Sequence, residues 1–187
     1  MPPIPPMNDF DYSTSGLSIQ EAMVKDIKKY PSKIKRPRSI RWGSHRIQSA
    51  DLLDVPNEGR IRLAFLSWTN TTVKQAVDIS LKGNFWLADG TGVSALRTSL
   101  DPHLENFVEY PYTANDSVIQ IWNVYEMTYP AGQVIEERMT RNAGFWIEIV
   151  SPNERIYHSS HGLCNPPDFE SLVFKISIGP RKLRLLS

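Results

Sequence analysis

Residues 118–127 read VIQIWNVYEM, and this run decides the fold class. Apolar residues occupy both alternating sets of positions, which is expected for a central β-strand that is covered on both faces. A second run of this kind contains Ile61, Leu63 and Phe65. Three further runs alternate apolar and polar residues with a period of two, which predicts half-buried strands. They are residues 77–82 (VDISLK), 145–150 (FWIEIV) and 173–178 (VFKISI).

Turn-forming residues separate these runs. They lie at residues 56–59, 89–90, 130–132, 142–144 and 151–153. Short strands with frequent turns predict a mainly β (α+β) fold, an antiparallel sheet or sandwich preceded by one amphipathic helix. Residues 88–94 (ADGTGVS) lack the spacing of a phosphate-binding loop, so Asp89 and Gly90 predict a hairpin turn instead. Residues 93–107 predict a short helix that ends at Pro102.

The leading helix has a clear start. Ser18 and Glu21 have the spacing of a capping box, in which each side chain bonds the backbone N–H of the other. Pro31 ends the helix. Basic residues in its last turn suit the negative end of the helix dipole. One apolar stripe is predicted to face the core, and its members are Ile19, Met23, Ile27 and Tyr30.

The domain organisation follows from these patterns. Residues 1–17 hold four prolines among the first six positions and are predicted to be a flexible, Pro-rich tail. Residues 18–187 are predicted to form one globular domain, with a helix at 18–30, a basic linker at 31–39 and a β-rich body at 40–187. The length of 187 residues and the 41% hydrophobic content suit one compact body.

Cys164 is the only cysteine, which excludes a disulfide-stapled scaffold and favours a reducing compartment. No run approaches eighteen apolar residues, and the first residues lack the pattern of a signal peptide. We therefore expect an intracellular protein, in the cytoplasm or nucleus, that is not secreted and has no transmembrane segment.

Charge is distributed unevenly along the chain, although the net charge is only +1. Residues 25–46 carry a charge of +8, whereas residues 101–150 carry −6. The basic residues Lys28, Lys29, Lys33, Lys35, Arg36, Arg38 and Arg41, together with Trp42, are predicted to contact an anionic membrane or nucleic acid. The alternatives are a solvated segment without a partner and contact with the acidic region of another copy, head to tail.

One local cluster of reactive side chains contains His158, His161 and Cys164. Their spacing matches neither paired zinc knuckles nor a metal-binding helix face, and no oxyanion site accompanies the thiol. The sequence therefore predicts no metal, no cofactor and no catalytic residue. A small enzyme that uses this loop remains the second alternative to a binding function.

The order of a Pro-rich start (PPIPP, residues 2–6), a basic segment and a β-rich body resembles the matrix and matrix-like accessory proteins of negative-strand RNA viruses, rhabdoviruses in particular. The resemblance covers the layout of the whole chain and no diagnostic motif, because the PPxY tyrosine is missing. It implies a structural protein of the host cytoplasm and the virion that self-associates and contacts anionic membrane or nucleocapsid RNA through residues 28–41. It also implies a host-protein contact at Pro2, Pro3, Pro5 and Pro6.

The first alternative is a nucleic-acid-binding capsid or movement protein. Such a protein would use the same basic segment, Trp42 and the C-terminal residues 181–186 (RKLRLL).

Overall fold

The computed structural model describes residues 9–31, 36–69 and 72–181. It is mainly β with one α-helix, as the sequence predicts, and every paired strand runs antiparallel to its neighbour. A 3₁₀ turn at Tyr12–Thr14 precedes helix α1, Ile19–Lys29. The strands are β1 (Ile40–Trp42), β2 (His45–Ile47), β3 (Asp51–Asp54), β4 (Glu58–Trp68), β5 (Gln75–Trp86), β6 (Gly92–Ser99), β7 (Phe107–Thr128), β8 (Val134–Glu137), β9 (Gly144–Ser151), β10 (Glu154–Ser160) and β11 (Leu172–Gly179).

Nine of these strands form one sheet, and β1 and β2 form a separate hairpin. The main order is β6-β5-β7-β4-β11-β10-β9, so the two runs predicted to be central, in β4 and β7, are indeed interior strands. Within the described ranges, no helix has the length and hydropathy needed to span a membrane.

Strand β7 organises the sheet. One of its edges pairs with β5, and the other pairs in succession with β4, β3 and β8. Ser117 has φ 58° where the partner changes from β4 to β3, and Gly83 has φ 139° on β5 nearby. A Cβ at Gly83 would lie 2.0 Å from the carbonyl oxygen of Thr113, so only glycine fits this irregularity.

The main core lies between strands from opposite ends of the sheet. Phe85 of β5 and Phe145 of β9 are fully buried in the same cluster, so the sheet curls until its two ends share one interior. Asp51 of β3 accepts a buried hydrogen bond of 2.8 Å from Tyr157 of β10, a strand that does not pair with β3. Val77, Ile79 and Leu81, one of the alternating apolar sets predicted from the sequence, face this core, whereas Ile149 of the set on β9 is 69% exposed.

A second cluster joins the N-terminal part of the chain to the β1–β2 hairpin. Its buried members are Tyr12, Ile19, Ala22, Met23, Ile40 and Ile47. The capping box is confirmed, with Ser18 Oγ accepting from the Glu21 N–H and the Glu21 carboxylate accepting from the Ser18 N–H.

Three local predictions are wrong. Tyr12 is only 2% exposed, so the flexible tail does not extend through Asp9–Leu17; residues 1–8 lie outside the described part. Ile27 and Tyr30 are exposed rather than buried with Ile19 and Met23. Residues 92–99 form edge strand β6 instead of a helix, because their backbone pairs with β5.

Candidate functional site

Helix α1 has an unusual solvent-facing surface. Val24 is 45%, Ile27 51% and Tyr30 37% exposed, although all three are large apolar residues. Because Val24, Ile27 and Lys28 stand three and four positions apart, they are neighbours on the helix. Lys25 and Lys29 flank them and are also exposed. We define the α1 outer face as Val24, Lys25, Ile27, Lys28, Lys29 and Tyr30.

A groove of about 420 Å³ runs along this face. Val24 and Ile27 form one wall, and Arg36, Pro37 and Met139 contribute to the rest. Met139 is 43% exposed and has φ 60°, a backbone conformation that non-glycine residues seldom adopt. The turn between β8 and β9 therefore places one more exposed apolar side chain, that of Met139, beside the helix.

The helix is turned this way by a polar residue on its buried side. Asp26 is 3% exposed and takes the core-facing position that Ile27 was predicted to take. Its carboxylate accepts hydrogen bonds from Arg38 Nη1 at 2.9 Å and from Tyr12 Oη at 3.1 Å. A buried carboxylate needs such partners, because its desolvation would otherwise cost several kcal/mol. The apolar Ile27 is consequently left in solvent.

Arg38 also ends the helix. Its Nη1 donates to the carbonyl oxygen of Asp26 at 3.1 Å, and its Nη2 donates to the carbonyl oxygen of Tyr30. These bonds satisfy carbonyl groups of the last turn and place a positive charge at the negative end of the helix dipole. Arg38 was predicted to contact a ligand, but its charge and most of its donors serve the fold.

The other basic residues of the segment 25–46 divide into two groups. Arg36 pairs with Asp54 at 3.0 Å, and Arg41 pairs with Asp9 at 3.3 Å. Both pairs are well exposed to solvent, so they are weak. In contrast, no ion pair to a described residue involves Lys25, Lys28 or Lys29. Lys33 and Lys35 lie outside the described residues, as do Pro2, Pro3, Pro5 and Pro6.

Trp42 is half-buried and packs against the second cluster. Asp11 lies at this junction, where its carboxylate accepts hydrogen bonds from the N–H groups of Gly43 and Ser13. These two bonds, with a smaller contribution from the charge of Arg41, lower the pKa of Asp11 to about 2. Because Trp42 is half-buried against the second cluster, only part of its surface is exposed to solvent.

The acidic region does not receive the basic segment within the described chain. Its carboxylates pair locally across neighbouring strands, for example Glu109 with Arg60 and Asp116 with Lys82. The basic segment instead contacts Asp9, Asp26 and Asp54. The charge complementarity seen in the sequence is thus not satisfied between the described residues of these two regions.

The His158 and His161 side chains have different neighbours. The His158 ring stacks on Trp146 at 3.8 Å between centroids, and Trp146 also stacks on His45 at 4.2 Å. His161 is buried, which lowers its pKa, and its Nδ1 accepts from the Leu163 N–H at 3.2 Å. Among the described residues, no group of three or more His, Cys, Asp or Glu is placed to hold a metal ion.

Val24, Lys25 and Met139 were not among the residues that the sequence singled out. A signal for Val24 was present, because Ile19, Met23, Val24 and Ile27 together cover a wider arc of the helix than one buried stripe requires. Met139 is 110 residues or more from the helix in sequence, and no local pattern connects them.

Comparison with protein-family models, with curated proteins and with solved structures found no match to this chain. The site is therefore interpreted from its own geometry.

Proposed function

We propose that this protein is a non-enzymatic structural or accessory protein of the viral matrix type, which contacts an anionic membrane surface through the α1 outer face and self-associates. The observation that carries the proposal is the exposed pair Val24 and Ile27 beside Lys25, Lys28 and Lys29, which form no ion pair with any described residue. This combination supplies both attractions that an interfacial helix needs, apolar insertion and charge.

The expected energies favour a reversible membrane contact. Each lysine near an anionic bilayer contributes about 1 kcal/mol, and burying a CH₂ group adds about 0.8 kcal/mol. Val24 and Ile27 are about half exposed and therefore have area left to bury. Both attractions are modest, so stable binding to the membrane would need several copies of the chain that bind together.

A membrane is favoured over nucleic acid as the target. Nucleic acid binding relies on many free cations and on aromatic rings that can stack on bases. In the described chain Arg38 is held by the buried carboxylate of Asp26, and Trp42 packs against the second cluster. The exposed apolar residues of α1, in addition, have no role in binding phosphates.

Cosedimentation with vesicles tests the proposal. We expect the full chain to sediment with vesicles of phosphatidylcholine and phosphatidylserine, and not with phosphatidylcholine alone. Ile27→Ser and Lys28→Glu should each weaken binding about tenfold, because each removes one of the two attractions. Added salt should weaken binding of the wild-type chain.

The matched controls are Val134→Ser and Lys82→Glu. Val134 is 55% exposed, and Lys82 is an exposed lysine on β5, so both changes are of the same kind at a site away from α1. Equal losses in the controls would refute the α1 outer face as the contact. Binding to single-stranded RNA without binding to anionic vesicles would refute the membrane proposal and favour the capsid alternative.

A further inference from the structure

Strand β6 is an open edge of the large sheet. It pairs with β5 on one side, and none of the other described strands pairs with it. The hydrogen bond from the Leu100 N–H to the Gln75 carbonyl shows which residues of this strand bond to β5, because every second residue along an antiparallel pair does so. It follows that Ala95, Arg97 and Ser99 direct their N–H and C=O groups away from β5. No described residue accepts from or donates to these groups.

This edge lacks the usual protection against pairing. Natural edge strands are commonly blocked by proline, by outward lysines or by a very short length. Strand β6 has eight residues and contains neither proline nor lysine. Its only charged residue, Arg97, is held by Asp78 at 2.7 Å and by Glu136, so its charge is already compensated within the subunit.

The strand is also complementary to itself. When two copies run antiparallel about a twofold axis at Leu96, Ala95 lies opposite the partner's Arg97, Ser94 lies opposite the partner's Thr98, and Leu96 lies opposite the partner's Leu96. Apolar pairs and hydroxyl pairs of this kind stabilise antiparallel sheets. A register centred on Arg97 would instead place Leu96 opposite the partner's Thr98 and would lose the apolar pair.

We propose that two copies of this chain pair through β6, in the register centred on Leu96, and so form one continuous sheet across a twofold axis. Leu96 packs against the edge of the main core, so the pairing extends that core across the interface. This inference rests on the proposed function, because it names the surface through which the chain would self-associate. The occupant is a second copy, since the strand offers matched backbone groups and side chains to itself.

The oligomeric state tests the pairing. Sedimentation velocity of the full chain over a range of concentrations should show a monomer–dimer equilibrium. Ala95→Lys should raise the dimer dissociation constant about tenfold, because it adds to the edge an uncompensated lysine, the residue that natural edge strands use against pairing. Ala88→Lys introduces the same change in the turn before β6 and should leave the equilibrium unchanged. A wild-type chain that stays monomeric, or equal effects of the two variants, would overturn the proposal.

Crosslinking tests the register. In a Cys164→Ser background, Leu96→Cys should form a disulfide-linked dimer on mild oxidation, because directly opposed residues that do not bond each other lie about 4.5 Å apart. Ser94→Cys should not, because each new thiol faces the partner's Thr98. Crosslinking at 94 without crosslinking at 96 would overturn this register. Neither experiment contains lipid, so its failure is distinguishable from failure of the membrane proposal.

Discussion

Two buried aspartates in different regions of the molecule each accept hydrogen bonds from one arginine and one tyrosine. Asp26 in α1 accepts from Arg38 and Tyr12, and Asp51 in β3 accepts from Arg155 and Tyr157. The Asp26 group joins three segments of the N-terminal part, whereas the Asp51 group joins β3 to β10, two strands of the β body that do not pair with each other. An arginine in a strongly basic run can therefore have the same structural role as one in an ordinary strand.

The two groups differ in the cluster that lies beside them. The hydrogen bonds from Arg155 and Tyr157 to Asp51 are each 2.8 Å long, and burial raises the pKa of Tyr157 well above its usual value. Tyr157 also stacks on Phe174 at 4.7 Å within the main core. The Asp26 group lies at the edge of a smaller cluster, and its hydrogen bonds are slightly longer. We therefore expect the Asp51 group to contribute more to stability.

The largest effect is expected from Asp51→Ala. Removal of this carboxylate leaves the Arg155 charge and the Tyr157 hydroxyl unpaired, so the free energy of unfolding should fall by about 3 kcal/mol. Urea denaturation provides the measurement. Asp54→Ala on the same strand is the control, because its pair with Arg36 is exposed and should contribute less than about 1 kcal/mol. Similar losses from both substitutions would contradict the structural role of Asp51.

A smaller effect is expected from Arg38→Ala. It leaves Asp26 with one side-chain donor fewer and exposes the last carbonyls of α1, so we expect a loss of about 2 kcal/mol in urea denaturation. Arg36→Ala, two residues earlier, should cost less than about 1 kcal/mol. If Arg38→Ala were as mild as Arg36→Ala, the parallel between the two aspartates would fail. Loss of membrane binding in Arg38→Ala would have to be interpreted together with this loss of stability.

The smallest effect concerns pH. Burial lowers the pKa of His161 below its usual 6.5, with a smaller opposing contribution from Asp168. Below pH 6.5 the His161 imidazole therefore binds a proton in the unfolded chain but stays neutral in the folded chain. The free energy of unfolding should decrease as pH falls through this value. His161→Asn keeps an acceptor for the Leu163 N–H and should flatten the dependence between about pH 7.5 and about pH 5.5.

The exposed His103 supplies the control for this experiment. His103→Asn should leave the slope of unfolding free energy against pH unchanged, because this residue lies in a solvent-exposed turn. An unchanged slope in His161→Asn would show that the β body does not carry the pH dependence through this side chain.

Periodicity and capping made much of the fold predictable. The strands with a period of two, the interior positions of β4 and β7 and the start of α1 all follow from local patterns. The short helix predicted after Gly92 failed because Val93, Leu96 and Leu100 also have helical spacing. These three residues contact the main core from an edge strand, and only the presence of β5 decides between the two structures.

The candidate site was less predictable, since its residues were chosen by charge. Lys28 and Lys29 are exposed as expected, whereas Arg38 is engaged with Asp26. Charge and spacing in the sequence cannot distinguish a free cation from one in an ion pair. The carboxylate that pairs with Arg38 is Asp26, and it lies on the side of α1 that the pattern predicted to be apolar.

The sequence by itself determined the class of fold, the first turn of α1 and the uneven distribution of charge, because each depends on residues that are near one another along the chain. Only the tertiary structure decided which side of α1 is buried, which bases remain unpaired and which strand edge stays open. These outcomes depend on partners such as Tyr12 with Asp26 and Asp51 with Tyr157, the latter 106 residues apart. Burial makes an unpaired charge so costly that such distant partners outweigh the local pattern.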